Sequence, residues 1–121
     1  MPPRTSVLTG RHVLLVEDEY FIADDMARTF TADGARIVGP VASVGDALDL
    51  LAGAPRIDGA VLDINLRGEM AFAVADALSA RGVPFVFATG YDEASIPPRY
   101  AAVRRYEKPV DPAKVARALF G

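Results

Sequence analysis

Five short apolar runs, alternating along the chain with helix-like stretches, constrain this sequence more than any other feature. They are "HVLLVE" (12–17), "ARIVGP" (35–40), "IDGAVLDI" (57–64), "VPFVFAT" (83–89) and the weaker "VRRYE" (103–107). Continuous apolar runs of this length read as strands buried on both faces. The intervening segments carry helical spacing. Ile22, Met26 and Phe30 form a stripe over 20–31, with Gly34 as a stop. Ser43 can cap a helix over 44–52 that sets Val44, Leu48 and Leu51 on one side and ends at Gly53. A third helix is expected over 69–80, with Phe72, Val74, Ala75 and Leu78, closed by Gly82. Asp111 and Pro112 mark the N-cap and first residue of a last helix over 111–120. Pro97 and Pro98 forbid a long helix before it, so a loop with one or two helical turns is expected there. Strands alternating with helices predict a parallel sheet covered on both faces, a three-layer α/β fold. Residues 1–10 read as a flexible lead-in and 11–121 as one domain, long enough to bury a core.

Such folds gather their chemistry at the carboxyl ends of the strands. Glu17, Asp18 and Glu19 follow the first run; the third ends on Asp63, the fourth on Thr89-Gly90 and the fifth on Lys108-Pro109. On one rim these would bring together carboxylates, a hydroxyl and an ammonium. Crowded carboxylates repel one another, and a hard divalent cation relieves this through their oxygens; Mg²⁺ suits one or two carboxylates plus waters. Beside Mg²⁺ and a lysine, a carboxylate can attack phosphorus, while a threonine hydroxyl binds the phosphoryl oxygens. Taken singly, each residue also has a structural reading. Asp63 suits a turn cap, Glu17 to Glu19 a helix start, Thr89 a strand, and Lys108 a solvated turn. Their placement on four successive strand ends favours the functional reading. His12, the single histidine, stands at a strand entrance and reads as structural.

Composition removes other classes. The net charge is −3 and the densest basic stretch, "RRYEK" (104–108), is interrupted, so no nucleic-acid surface is expected. With no cysteine there is no disulfide or thiolate metal site, and a cytoplasmic location is the simple expectation. "MPPRTSVLTG" lacks the apolar region of a signal peptide, and no run is long enough to span a bilayer.

The motifs "LLVEDE", "VLDINL", "FATG" and "EKPV" together resemble those of the bacterial response-regulator receiver domain, over nearly the whole chain. The resemblance implies a doubly wound, flavodoxin-like (βα)5 fold with parallel strands in the order 2-1-3-4-5. It implies Asp63 as phosphoacceptor, Asp18 as a direct Mg²⁺ ligand, Glu17 as its acidic partner through water, and the Asn65 main-chain carbonyl as a further ligand. Thr89 would bind a phosphoryl oxygen, Lys108 would pair with the phosphoryl group, and the Lys108–Pro109 bond would be cis. "PFVFATGY" (84–91) is similar to the signature of single-domain receivers nicknamed FAT-GUY, associated with general stress signalling.

Three positions depart from the family pattern. Arg67 stands where a proline is usual, four residues after the acceptor. Arg105 takes the place of the aromatic switch residue, and Tyr106 comes one residue late, a shift that turns a side chain to the other sheet face. The paired prolines disrupt the fourth helix, part of the usual output surface. Tyr91 and Asn65 are candidates for tuning phosphoryl lifetime.

The expected function is a phosphorylation-controlled signalling switch, not a turnover enzyme. Its implied donor is a histidine kinase or histidine phosphotransferase docking on the first helix and "KPVDPA"; its downstream partner is unknown. Tyr20 and Phe21 are candidate contacts, though Phe21 suits the core equally. A monomer or weak homodimer is expected. With the sequence ending at Gly121 no output domain is expected, and the initial Met mildly favours a stand-alone protein over a receiver cut from a hybrid kinase. The alternatives are a degenerate receiver acting as a phosphorylation-independent binding module, and a Mg²⁺-dependent phosphohydrolase. The latter usually has an Asp where Asn65 stands.

Overall fold

The computed structural model describes residues 7–53, 55–90 and 96–121. The strands are β1 (His12–Val16), β2 (Arg36–Val41), β3 (Gly59–Asp63), β4 (Asn65–Leu66), β5 (Glu69–Met70), β6 (Phe85–Thr89) and β7 (Arg105–Glu107). Five of them form a parallel sheet ordered β2-β1-β3-β6-β7. That is the expected order, 2-1-3-4-5, once the separate β4–β5 hairpin is left uncounted.

Alternation along the strands decides which helix each side chain meets. Val13, Leu15, Val61, Val86 and Ala88 share a core with Met26 and Phe30 of α1 (Tyr20–Ala32) and Val115 of α4 (Pro112–Phe120). Leu14, Val16, Leu62 and Phe87 share the other core with Ala47 and Leu51 of α2 (Val44–Ala52) and with Val74 and Leu78 of α3 (Phe72–Ala80). The sheet is therefore the middle of three layers. Leu14, Leu15, Phe30, Leu62, Leu78 and Phe87 are fully buried, each such side chain contributing about 1.5–3 kcal/mol.

Helix ends follow the sequence signals. Ser43 Oγ accepts from the Asp46 amide at 3.0 Å, and Asp111 Oδ1 from the Ala113 amide at 2.9 Å, with Pro112 in the first turn. The stripes are rotated from expectation: α1 buries Ala23 with Met26 and Phe30, and α2 buries Ala47 while Leu48 is exposed.

The expected helix over 69–80 starts only at Phe72. Arg67 and Gly68 take left-handed backbone (φ 55° and 91°), and Asn65 Oδ1 accepts from the Gly68 amide at 2.6 Å. The chain thus doubles back as the antiparallel pair β4–β5 before the helix begins. Pro98–Tyr100 form a single 3-10 turn, as the paired prolines require. Residues 7–10 of the lead-in form a turn in which Leu8 is fully buried among the α1 core. No helix among the described residues is long and apolar enough to cross a membrane.

Candidate functional site

The parallel arrangement brings the ends of β1, β3, β6 and β7 to one rim, because every strand of the main sheet runs the same way. Glu17 follows β1 directly, its amide bonded to the Val41 carbonyl at 2.9 Å. Asp63 ends β3, Thr89 ends β6, and the Lys108 amide reaches the Thr89 carbonyl at 3.0 Å. Lys108–Pro109 is cis, as is Gly39–Pro40.

The Lys108 ammonium donates to both carboxylate oxygens of Glu17, at 3.0 and 3.1 Å, and to Asp63 Oδ2 at 3.1 Å. Glu17 and Asp63 are buried, at 1% and 5% exposure. The Asn65 amide donates to Asp63 Oδ1 at 3.3 Å, and the Glu19 amide to Glu17 Oε1 at 3.3 Å. A cavity of about 300 Å³ opens onto this group, lined by Asp18, Glu19, Asp63, Ile64, Asn65, Arg67, Gly68, Thr89, Gly90 and Lys108. Glu17 is buried and bonded to Lys108, which lines it.

Burial dominates the electrostatics. It raises the Glu17 carboxyl to about 7, against the opposing bond from Lys108, and the Asp63 charge adds to the rise. Asp63 is raised as well, first by burial, with Glu17 and Lys108 opposing. Burial alone would lower Lys108, but its bonds to Glu17 and Asp63 outweigh that and hold it above its ordinary value. Glu17, Asp18 and Asp63 each present an oxygen, all within 4.8 Å of one another. A purely oxygen donor set this tight, with excess negative charge, fits a hard divalent cation.

The residues singled out from the strand ends therefore meet: Asp18, Asp63, Asn65, Thr89 and Lys108 line one cavity, and Glu17 is bonded to Lys108. Tyr91 lies outside the described residues. Arg105 is exposed and sits in register with Phe87, while Tyr106 packs on the α1–α4 core with its hydroxyl 3.4 Å from the Lys114 carbonyl. The two side chains thus leave β7 on opposite faces. Phe21 is not in the core but 84% exposed, edge-on to the exposed Tyr20.

Two further residues were not apparent as partners in the sequence. Tyr100, from the 3-10 turn, is buried against Phe72, Phe85 and Phe87, and its hydroxyl bonds Asp76 on α3. The exposed Arg67 reaches Asp18 across the cavity rim. Both pairs span long gaps in the chain, and no local pattern announces them.

Fold and site together define a doubly wound α/β domain with a lysine tied to buried carboxylates at its carboxyl rim. The solution structure of SdrG from Sphingomonas melonis Fr1 is 41% identical, with 94% of this chain and 95% of that one covered and a TM-score of 0.77. Its BeF3-activated conformation is 37% identical over 96% of each chain, with a TM-score of 0.72. A response regulator receiver protein from Sinorhizobium medicae WSM419 is 25% identical over 91% of each chain, with a TM-score of 0.74. The positive alginate biosynthesis regulatory protein of Pseudomonas aeruginosa is 33% identical over 112 residues; the match takes in 89% of this chain but only 45% of that protein. No family model matches the sequence. The chain belongs to the response-regulator receiver family.

Proposed function

We propose that this domain is a phosphorylation-controlled switch in which Asp63 accepts a phosphoryl group from a phosphohistidine donor. The observation that carries the reading is the Lys108 ammonium bridging Glu17 and Asp63 beside Thr89. Asp63 attacks phosphorus, the P–N bond to the donor imidazole breaks, and the imidazole leaves with the bonding pair and takes up a proton. Lys108 offsets the charge on the transferring group, and the Thr89 hydroxyl donates to a phosphoryl oxygen. Mg²⁺ held by Asp18, Asp63, the Asn65 carbonyl and Glu17 (through water) would supply the remaining charge neutralisation. The SdrG relative's BeF3-activated form supports this reading. The exposed Tyr20–Phe21 pair at the start of α1 is the natural contact for a histidine kinase or phosphotransferase. "PFVFATGY" supports assignment to the FAT-GUY type, a cytoplasmic receiver in stress signalling, with Asn65 and Tyr91 tuning phosphoryl lifetime.

Intact-protein mass after incubation with acetyl phosphate, with and without Mg²⁺, tests the proposal on wild type and Asp63→Asn. One phosphoryl adduct requiring both Mg²⁺ and Asp63 is expected. Its absence, even after rapid trapping, would favour a phosphorylation-independent binding module, the reading that the Arg105–Tyr106 arrangement supports.

A further inference from the structure

The two cations at the site, Lys108 and Arg67, divide the carboxylate cluster Glu17, Asp18 and Asp63 between them. Lys108, its side chain only 11% exposed, is fixed to Glu17 and Asp63. Asp18 is left to Arg67. The Arg67 guanidinium donates to the Asp18 carbonyl at 3.4 Å, and its Nε lies 3.9 Å from Asp18 Oδ2. The side chain is 79% exposed, so this contact is a loose one at the water boundary, whereas the Asp18 side chain is 12% exposed.

The backbone places Arg67 at the rim. It occupies the tip of the β4–β5 hairpin, whose register pairs Asn65 with Met70 and Leu66 with Glu69. Its φ of 55° is left-handed, a region that glycine or asparagine enters more easily than arginine. The turn alone would be better served by those residues. What arginine adds is a long cationic side chain that meets the one carboxylate of the three that Lys108 does not hold.

We infer that Arg67 is a displaceable counter-ion on Asp18, which competes with the divalent cation for that carboxylate and sets the metal affinity of the site. This rests on the reading of Glu17, Asp18 and Asp63 as a cation site. When the cation binds, the guanidinium gives up the Asp18 carboxylate and swings into solvent, a short movement for a side chain already mostly exposed. Removing it takes away both the competing ion pair and a positive charge that repels the incoming cation.

The test is a Mg²⁺ titration of the full chain, followed by the amide resonances of Asn65 and Gly90. It compares wild type, Arg67→Gln, Arg67→Gly and Arg56→Gln. Arg56 pairs with Asp58 at the opposite end of β3 and controls for net charge alone. Arg67→Gly relieves the left-handed backbone, so it guards against a folding defect in the first variant. Both Arg67 variants are expected to bind Mg²⁺ roughly three- to tenfold more tightly at low salt, somewhat beyond the value of one exposed ion pair. The gain should shrink at high salt, and Arg56→Gln should match wild type. Affinity unchanged or weakened in the Arg67 variants, or an equal gain in Arg56→Gln, overturns the inference while leaving the cation site standing. If no protein, wild type included, binds Mg²⁺, the cation-site reading fails and this inference falls with it.

Discussion

Replacing Lys108 by methionine keeps the length of the side chain and removes its charge. Three hydrogen bonds of 3.0–3.1 Å disappear from two carboxylates that are almost entirely buried. Breaking a buried ion pair by removing one partner costs about 3–5 kcal/mol when the stranded charge must stay. Here it need not stay, because Glu17 already titrates near 7 with Lys108 present and must titrate higher without it. Around pH 6 the variant can hold a proton on the carboxyl pair at little cost, and the loss should be about 2 kcal/mol, the worth of the missing hydrogen bonds. Above pH 7 the folded variant retains a proton that its unfolded chain has released. Folded protein then binds more protons than unfolded, so stability falls with rising pH, by at most about 1.4 kcal/mol per pH unit. The deficit against wild type should thus approach roughly 3 kcal/mol near pH 8. Lys108 itself, raised above its ordinary value, adds no pH dependence to wild type within this window. Urea denaturation of both proteins across this range, with a chelator present, gives the two curves. A deficit that is the same at both ends of the range would refute the picture of a proton taking over from the lysine.

Two other predictions concern the far end of the sheet. Asp58 accepts from the His12 amide at 2.7 Å, which holds its carboxyl below the ordinary value. Its stabilisation is present above the unfolded-state pKa and lost as pH falls through the lowered one. Asp58→Ala should therefore be less stable than wild type at neutral pH, with the gap in urea midpoints closing in strong acid; a gap that persists there would count against it. A Cβ on Gly59 would lie 2.9 Å from both Leu119 Cδ1 and Phe120 Cζ. Gly59→Ala should cost about 1 kcal/mol, the low end for overpacking because both atoms are side-chain tips. Added truncation of Leu119 and Phe120 should recover part of the loss in thermal unfolding.

The sequence carried the architecture because its strongest signals were local. Apolar runs, Ser43 and Asp111 as caps, and prolines as breakers act within a few residues, and each appears where those signals place it. The strand-end residues were legible for a related reason: in a parallel sheet, the end of a strand is a location in space as well as in sequence. What was not legible depended on helix rotation or long-range pairing. Leu48 and Ala47 both fit an apolar stripe, and the rotation of the helix buries the alanine and leaves the leucine exposed. The β4–β5 hairpin shortened α3 because Asn65 folds back on Gly68, a bond that no apolar period reveals. Arg67 with Asp18 and Tyr100 with Asp76 join segments 49 and 24 positions apart.

The bond between Glu17 and Lys108 joins residues 91 positions apart. A ribosome delivers the second of these 91 residues after the first. Until β7 has left the exit tunnel and docked beside β6, Glu17 and Asp63 have no ammonium between them. A chain that ends before β7 holds both carboxylates but lacks the ammonium that joins them. The charge balance of this rim is therefore completed only after all five strands of the main sheet have been made.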